Sequence, residues 1–373
     1  MSTITIFGLL YSQHISNFAH AIKTYSDFKL IGVNNNPKLV QGNQYYYQTK
    51  ESFDEIYEVS RSGNKLVDFF SKCFKPLSLI VQCGKKSEIV QFHFISYFVL
   101  PLIILVKCFT KAKTSSFVYG SDFLGASKFK LHYLNWVFRL SDSVVCDSSM
   151  VLDHLRERYP QYNKKFECCF FGSVIIDKLL EFDDKHFPPL MKTNKKVIMC
   201  GYNGALQQQH LRIFESLKSV APEYYWLVPM TYGGSEEYKK EIKDYLDSNH
   251  LDNTVLDSFL TEEEWINYLC STDIFIHMQT TDAFSAALSE QLLLGHIVIN
   301  GEWLPYKDFD DNNVFYFKSS FDDLTKKLQD IQVNYDQYYP ELKSNKGKIE
   351  KIKGLRYCIN HYWLPYFDRL AAK

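Results

Sequence analysis

The chain has 373 residues, with 42 lysines and arginines against 43 aspartates and glutamates, and a formal net charge of −1 at pH 7. This length is sufficient for two domains that each bury a core, and the charge balance argues against a nucleic-acid-binding protein. The nine cysteines have no Cys-x-x-Cys spacing, which argues against a zinc or disulfide framework and indicates reduced thiols in a cytosolic protein.

Strand and helix patterns alternate along the first half of the chain, as is typical of parallel sheets built from βαβ units. The first strand, Ile4–Phe7, has no basic region or cleavage site before it, so we expect no signal peptide. The patterns then predict helices at 16–24 and 53–74 and strands at 28–33, 77–81, 89–94, 116–119, 143–146 and 166–170. Together these elements predict a Rossmann-like domain over residues 1–180.

The segment 92–106 is strongly apolar, but His93, Ser96 and Pro101 interrupt it, and it is shorter than the roughly 20 residues of a spanning helix. It therefore predicts a buried strand followed by a helix. Three lysines follow at 107, 111 and 113, so this edge is suited to an anionic membrane surface, although three lysines are also typical of a solvated face. We expect a cytoplasmic protein, with peripheral contact to the inner face of the membrane as the open alternative.

A polar, proline-containing segment at 181–195 predicts a linker between two domains. A second set of strands follows at 196–200, 224–229, 254–256, 273–277 and 297–300, which predicts a second Rossmann-like domain over residues 196–350. The last stretch, 351–373, is helical in composition apart from Pro365.

Two acids stand where the strand at 273–277 turns into a helix. Asp282 follows the polar turn 279–281, and Glu290 follows eight residues later, within roughly 80° of Asp282 if both lie on one helix. Free N–H groups and the positive end of the helix dipole at such a turn favour a phosphate. A carboxylate there accepts hydrogen bonds from a ribose diol. The alternative is that both acids only cap the helix or pair with its dipole.

The surrounding pattern, Asp282-Ala-Phe-Ser-Ala-Ala-Leu-Ser-Glu290, then four residues and Gly295, resembles the donor-site signature of family-4-type GT-B glycosyltransferases. The resemblance implies two Rossmann-like domains with parallel sheets facing a central cleft, and a C-terminal helix over 351–373 that crosses back to the first domain. It also implies that the first acid faces the sugar and that Glu290 binds the ribose. The family usually has Glu at position 282, so the shorter Asp282 departs from the pattern.

Several segments of the first half resemble the same family in the same order. Ile89-Val-Gln-Phe-His93 is similar to its strand ending in His, and Phe117-Val-Tyr-Gly-Ser-Asp122 is similar to its His-Gly-Ser-Asp turn, with Tyr119 in place of the histidine. If the reaction inverts the anomeric centre, it needs a general base. Asp122 is the first candidate and His93 the second, although Asp122 also fits a helix cap and His93 a core histidine.

The loop Gly201-Tyr-Asn-Gly204, followed by His210, lacks the arginine and lysine that clamp the diphosphate in the family. Glycines let backbone N–H groups approach phosphate, and a histidine whose pKa is raised beside phosphate adds a donor. This loop and Val228-Pro-Met-Thr-Tyr232 resemble the TDP-Fuc4NAc transferase family, which inverts, whereas the family-4 type retains. The predicted donor-binding set is Gly201, Tyr202, Asn203, Gly204, His210, Tyr232, Phe259, Thr281, Ala283, Phe284, Ser285 and Glu290.

No acidic pair stands at a strand end in the manner of metal-dependent transferases, because Asp183–Asp184 lies in the linker and Asp308–Asp311 in a polar turn. We therefore expect a reaction without a metal ion or other cofactor.

The leading hypothesis is a hexosyl- or deoxyhexosyl-type glycosyltransferase with a nucleotide-diphosphate sugar donor and a glycan or lipid-linked acceptor, in bacterial surface-polysaccharide synthesis. Its catalytic candidates are Asp122, His93 and Asp282. The alternatives are a catalytically reduced partner or binding subunit, favoured by the missing cations, and a sugar-nucleotide epimerase.

Overall fold

The computed structural model describes residues 2–35, 45–58, 65–123, 125–181, 193–282 and 285–372. The chain divides into two compact units: unit 1 comprises Met1–Gly172 and Leu355–Lys373, and unit 2 comprises Ser173–Gly354. The division thus falls before the helix Val174–Leu180, whereas the predicted domain limit follows it. Most of the predicted linker, residues 182–192, lies outside the described part of the chain.

Unit 1 is built on a parallel sheet. Its strands are β1 (Thr3–Gly8), β2 (Lys29–Asn34), β3 (Glu55–Glu58), β4 (Ile89–His93), β5 (Lys113–Val118), β6 (Ser143–Cys146) and β7 (Phe166–Cys168). Over the described residues the order across the sheet is β3-β2-β1-β4-β5-β6-β7. All neighbouring strands pair in parallel, and the order reverses between β1 and β4.

Helices connect these strands. They are α1 (Gln13–Tyr25), α2 (Tyr45–Ser52), α3 (Lys65–Gly84), α4 (Val99–Phe109), α5 (Gly120–Phe123), α6 (Lys128–Leu140) and α7 (Ser149–Arg158), followed by a 3₁₀ turn at Pro160–Lys165. Side-chain caps begin two of them, because the Ser12 hydroxyl accepts from the Ile15 N–H and the Ser127 hydroxyl accepts from the Lys130 N–H.

Unit 2 has a second parallel sheet. Its strands are β8 (Val197–Cys200), β9 (Tyr225–Pro229), β10 (Asn253–Leu256), β11 (Ile274–His277), β12 (Ile297–Gly301) and β13 (Phe317–Ser319). In the described residues their order is β10-β9-β8-β11-β12-β13, with a reversal between β8 and β11. Central strands such as β8 and β11 are buried along their whole length, which explains their continuous apolar sequences.

The helices of unit 2 cover both faces of its sheet, as the reversal in strand order requires. They are α8 (Val174–Leu180), α9 (His210–Ser216), α10 (Glu236–Ser248), α11 (Glu262–Cys270), α12 (Ala286–Leu293), α13 (Lys307–Asp311), α14 (Leu324–Val333) and α15 (Tyr335–Lys353), with 3₁₀ turns at Leu206–Gln208 and Ala221–Glu223. A capping box begins α11, since Thr261 and Glu264 each accept from the other's backbone N–H.

The C-terminal segment packs into unit 1. It consists of α16 (Leu355–Cys358), a π-helical turn at Ile359–Trp363 and α17 (Leu364–Ala372). The fully buried Trp363 ring lies 4.6 Å from the Phe18 ring and 5.1 Å from the Phe117 ring, and its Nε1–H donates to the Phe170 carbonyl at 3.0 Å. The Tyr366 hydroxyl lies 2.6 Å from the Ser115 hydroxyl. The last helix therefore completes the core of unit 1.

Two predicted elements are wrong. The segment 77–81 is part of α3 and not a strand, and the predicted helix over 53–74 contains the edge strand β3 before α3 begins. A short apolar run has no periodicity that separates a strand from a buried helix. In β3, Glu55 pairs with Lys29 and Lys86, and such a charged edge strand lacks the apolar signature of an inner one.

In the part of the chain that the structure describes, no helix is long and apolar enough to cross a membrane. The cysteines there are free thiols, and those at 83, 146, 169, 200 and 358 are buried. Burial raises the pKa of the Cys83 thiol to about 12, which makes it unreactive near neutral pH.

Candidate active site

The predicted donor-binding residues of unit 2 gather where the strand order reverses. Gly201 directly follows β8, Tyr232 lies in the loop after β9, and Asp282 lies in the loop after β11. In open parallel sheets, ligands bind at the carboxyl ends of the strands beside this reversal. These three loops therefore form the candidate site.

Gly201 has a positive φ of 64°, a conformation that side chains rarely adopt. A β-carbon there would stand 2.9 Å from Gln208 Oε1 and 2.9 Å from His210 Nε2. Both polar side chains are buried, and they lie directly behind the Gly201 backbone. The glycine thus allows the loop to rest against two side chains that order it.

Gly204 joins this loop to the one after β9. Its N–H donates to the Tyr232 carbonyl at 2.7 Å, and a β-carbon on Gly234 would come within 2.3 Å of the Gly204 carbonyl oxygen. Asn203 Oδ1 accepts from the Ala205 N–H at 2.9 Å, so the Asn203 side chain forms the turn. The two glycines bring the two backbones into direct contact.

His210 packs behind the Gly201 loop. Its imidazole is fully buried, with Nδ1 3.2 Å from the Tyr238 hydroxyl, and burial lowers its pKa to about 4. Desolvation disfavours the charged imidazole, and the expectation that a phosphate beside it raises this pKa stays a prediction. The histidine is neutral near pH 7 and supports the loop at Gly201.

Asp282 does not lie on the helix that contains Glu290. Helix α12 begins at Ala286, with Ser285 as its cap, since the Ser285 hydroxyl accepts from the Leu288 N–H at 3.4 Å. The predicted angle of roughly 80° between the two acids therefore does not apply, because Asp282 stands in the preceding loop. The polar turn extends further toward Glu290 than the sequence pattern indicated.

A buried hydrogen-bonded network surrounds the Asp282 carboxylate. Its Oδ2 lies 3.2 Å from Nε2 of His277, the last residue of β11, and the Tyr306 hydroxyl donates to the Asp282 side chain. The Tyr306 hydroxyl also lies 3.0 Å from His277 Nε2 and accepts from the Ser285 N–H. Sequence reasoning missed His277 and Tyr306, because neither stands in a motif.

Tyr202 extends this network toward the Gly201 loop. Its ring stacks on the His277 imidazole, with 5.7 Å between centroids and 29° between planes. Burial and the nearby Asp282 charge raise the pKa of the Tyr202 hydroxyl to about 12, so it is a neutral donor near pH 7. The structure therefore brings Gly201, Tyr202 and Asp282 into one site.

Glu290 is buried in the second turn of α12, with 3% of its surface exposed. The Trp265 Nε1–H donates to its Oε2 at 3.1 Å. Burial raises the pKa of this carboxyl to about 7, partly opposed by the Trp265 hydrogen bond and the Lys353 charge. Its ionisation thus falls in the physiological range, and its role in binding ribose stays a prediction.

Of four more predicted donor residues, the structure describes two. Phe259 stands in the loop after β10 with 82% of its surface exposed, so it is not a core residue. The Thr281 carbonyl accepts from Gln279 Nε2 at 2.6 Å. Ala283 and Phe284 lie outside the described residues.

A cavity of about 330 Å³ adjoins these loops, and Arg212, Thr280, Trp303 and Phe321 are among its lining residues. The Arg212 guanidinium lies 3.9 Å over the Phe321 ring and donates to Gln209 Oε1 at 3.4 Å. In the described part of the chain it forms no ion pair. Sequence reasoning missed this cation because it considered only residues 201–210.

In unit 1, His93 ends β4 as predicted but is fully buried. Its Nδ1 lies 2.9 Å from the Tyr119 hydroxyl and its Nε2 lies 3.0 Å from Gln91 Oε1. Burial and His14 lower its pKa to about 3. Both ring nitrogens have partners within the core, which favours the core-histidine alternative over the catalytic one.

Asp122 lies in the short helix α5, and its Oδ2 accepts from the Ile95 N–H at 3.3 Å and from the Tyr119 N–H at 3.2 Å. Burial raises its pKa despite these bonds and the Lys130 charge, and its role as a general base stays a prediction. Next to it, Phe94 has a positive φ of 55° and stacks on Tyr119 at 4.3 Å. Such backbone strain concentrates at functional sites.

Among the described residues, no group of three or more His, Cys, Asp or Glu side chains is arranged to bind a metal ion. The expectation of a reaction without a metal ion or cofactor stays a prediction.

The chain matches no protein-family model, and no curated protein matches its sequence. Solved structures do resemble it. A glycosyltransferase from Rickettsia africae superposes with a TM-score of 0.75 at 16% identity, over 99% of this chain and 98% of that chain. Anabaena HepE in complex with UDP superposes with a TM-score of 0.71 at 11% identity, over the full length of both.

A UDP-GlcNAc 2-epimerase from Neisseria meningitidis, bound to UDP-GlcNAc, is also similar, with a TM-score of 0.65 at 13% identity over both full chains. At these identities the likeness establishes the fold alone. The fold is that of GT-B glycosyltransferases, with two parallel-sheet α/β domains, and this prediction is confirmed.

Proposed function

We propose that this protein is a metal-independent glycosyltransferase that moves a hexosyl or deoxyhexosyl group from a nucleotide-diphosphate sugar to a glycan or lipid-linked acceptor. The main support is the network of Asp282, His277 and Tyr306 at the sheet reversal of unit 2. It places a partly accessible carboxylate beside a glycine loop whose backbone is ordered from behind. That arrangement suits a sugar diphosphate, with hydroxyls toward the acid and phosphates toward the loop.

The diphosphate charge needs partners other than the absent loop cations. The N–H groups of Gly201 and Gly204 donate to the Ile276 and Tyr232 carbonyls. We therefore assign this role to the backbone N–H groups of Tyr202 and Asn203 and to Arg212, which lines the adjoining cavity. The nucleobase is assigned to Phe259, an exposed ring at the same edge of the sheet. Similar structures contain UDP and UDP-glucose, which makes uridine diphosphate the first donor to test.

Nucleotide binding tests this assignment. In a thermal-shift screen of UDP, GDP, TDP and CMP, we expect UDP at 100 times its Kd to stabilise the protein by about 2.7 kcal/mol.

Glu290→Gln removes the charge that accepts the ribose hydrogen bonds, so we expect a 10- to 100-fold weaker Kd for UDP, corresponding to about 1.5–3 kcal/mol. Arg212→Gln should also weaken UDP binding, because it removes the guanidinium that we assign to the phosphates.

The affinity for UDP should depend on pH in a definite direction. Because the Glu290 pKa is about 7 and the ribose diol donates to the carboxylate form, UDP affinity should fall as the pH drops below 7. Glu290→Gln should bind UDP weakly at every pH, while Glu241→Gln on the exposed surface of α10 should match the wild type. A Glu290→Gln variant with unchanged affinity would refute the ribose assignment.

Turnover of a labelled UDP-sugar separates the alternatives. Transfer to an acceptor supports the proposal. Epimerisation of the donor would identify a sugar-nucleotide epimerase, in line with the similar epimerase structure. Nucleotide binding without any turnover would identify a catalytically reduced binding subunit.

A lipid-linked acceptor has support in an exposed apolar surface of unit 1. Tyr97 and Phe129 are 53% and 71% exposed, their rings lie 5.6 Å apart, and the Lys130 ammonium stands 5.2 Å over Tyr97. The exposed Ile104 lies on α4 and the exposed Trp136 on α6, which also contains Phe129, and these two helices pack together. Apolar side chains with adjacent cations are suited to an anionic bilayer.

Cosedimentation with phosphatidylglycerol vesicles tests this contact. Phe129→Ser should lower the partition coefficient roughly tenfold, because one aromatic ring no longer enters the bilayer. Phe259→Ser, an equally exposed phenylalanine in unit 2, should bind like the wild type. Equal losses in both variants would show that the binding is not specific to this surface.

A further inference from the structure

A surface groove of about 1,020 Å³ runs between α6 and α7 in unit 1. One end is formed by Phe123, Gly125 and Ala126, directly after the candidate base Asp122. Its volume is at the upper end of the roughly 300–1,000 Å³ of ligand pockets, which suits an extended ligand more than a single small molecule. None of the residues predicted for the donor or catalytic site lines it.

Basic side chains line both walls of this groove. On α6, Lys128 and His132 are four residues apart, and on α7, His154 and Arg158 have the same spacing, so each pair lies on one helix face. One acid, Glu157, also lines the groove, with Oε2 3.9 Å from His154 Nδ1. The lysine and arginine thus leave an excess of positive charge in a chain whose net charge is −1.

The two walls are connected by hydrogen bonds at the base of the groove. Gln161 Nε2 donates to Asn135 Oδ1 at 3.2 Å, and the Tyr159 hydroxyl donates to the Leu131 carbonyl at 2.6 Å. Tyr159 also packs on Phe138, with the ring centroids 5.2 Å apart. These contacts fix the spacing of the helices, so a ligand does not need to order the groove before it binds.

We propose that this groove binds an anionic oligosaccharide, the acceptor of the transfer reaction. The Arg158 guanidinium and the Lys128 ammonium would bind its carboxylate or phosphate groups, and the amides of Asn135 and Gln161 would bind its hydroxyls. A chain lying along the groove would have its end near the short helix α5, which contains Asp122. The inference deepens the proposed function and rests on it.

Titration calorimetry with tetragalacturonate tests the groove, with maltotetraose as the neutral match and inorganic phosphate as the free anion, all at one ionic strength. We expect tetragalacturonate to bind more tightly than either. Arg158→Gln should weaken it roughly fivefold, and Lys128→Gln combined with Arg158→Gln roughly 20-fold. Arg156→Gln removes the same charge from α7 outside the groove and should change the Kd less than twofold.

Three results would overturn the proposal: no tetragalacturonate binding, equally tight maltotetraose binding, or equal losses in the variants at 156 and 158. Loss of vesicle binding by Arg158→Gln with unchanged tetragalacturonate affinity would also overturn it, and would assign the groove to lipid. UDP binding is measured on the same samples. If tetragalacturonate does not bind while a nucleotide of the screen still stabilises the protein, only this inference is refuted. Failure of UDP, GDP, TDP and CMP alike refutes the proposed function.

Discussion

Asp282→Asn is expected to lower kcat/KM for sugar transfer by roughly 10- to 100-fold while leaving the Kd for UDP nearly unchanged. The amide keeps the shape of the side chain but loses the charge, and hydrogen bonds to a charged group contribute about 1.5–3 kcal/mol. The sugar hydroxyls would lose this acceptor, whereas the nucleotide does not use it. Steady-state kinetics and a UDP thermal shift on the same variant measure the two effects.

Two further variants make this result specific. Tyr306→Phe removes a hydroxyl that donates to Asp282, so we expect a smaller decrease in kcat/KM and the same UDP affinity. Asp310→Asn makes the matched change at an exposed acid that pairs with Lys318, and it should retain full activity. If Asp282→Asn lowers UDP affinity and transfer equally, the acid orders the whole site and does not face the sugar.

Trp363→Ala is expected to destabilise unit 1 by about 3–5 kcal/mol, the usual cost of removing a buried tryptophan. The indole ring contacts Phe18 and Phe117, and its loss leaves both a cavity and an unbonded carbonyl at Phe170. For a unit of this size the melting temperature should fall by roughly 6–20 °C. Scanning calorimetry measures it, together with the UDP-dependent shift that reports unit 2.

Trp136→Ala is the matched control, because Trp136 is 42% exposed on α6 and a surface substitution usually changes stability by less than about 0.5 kcal/mol. A Trp363→Ala variant as stable as this control would show that the C-terminal segment is not part of the unit 1 core. We expect UDP still to raise the melting temperature of the Trp363→Ala variant, because Trp363 belongs to unit 1 and the donor site to unit 2.

The sequence predicted most of the two sheets because their inner strands are continuous apolar runs between polar turns. The short strand β13, Phe317–Ser319, was missed because three residues show no pattern, and β3 because its ends are charged. The run 77–81 was assigned to the wrong element because five residues are too few to show the period of a long helix; only Ile80 among them is buried, and Ser78 is exposed.

The site was predictable where glycines and acids follow strands. Gly201, Gly204 and Asp282 stand at the ends of neighbouring strands, and such positions converge in any parallel sheet. His277 and Tyr306 were not predictable, because a histidine ending a strand and a tyrosine in a later loop have no fixed spacing from Asp282. The low pKa of His210 depends on its burial behind Gly201, which only the packed structure reveals.

The Asp282 network suggests why aspartate, and not the longer glutamate, suits this position. His277 and Tyr306 contact the carboxylate from β11 and from the loop after β12, and they fix it close to the backbone. A glutamate would move the charge outward by one methylene and leave two buried polar groups without their partner. We infer that the three side chains act as one unit, so that an engineered change at one position damages the network unless the other two are changed to match.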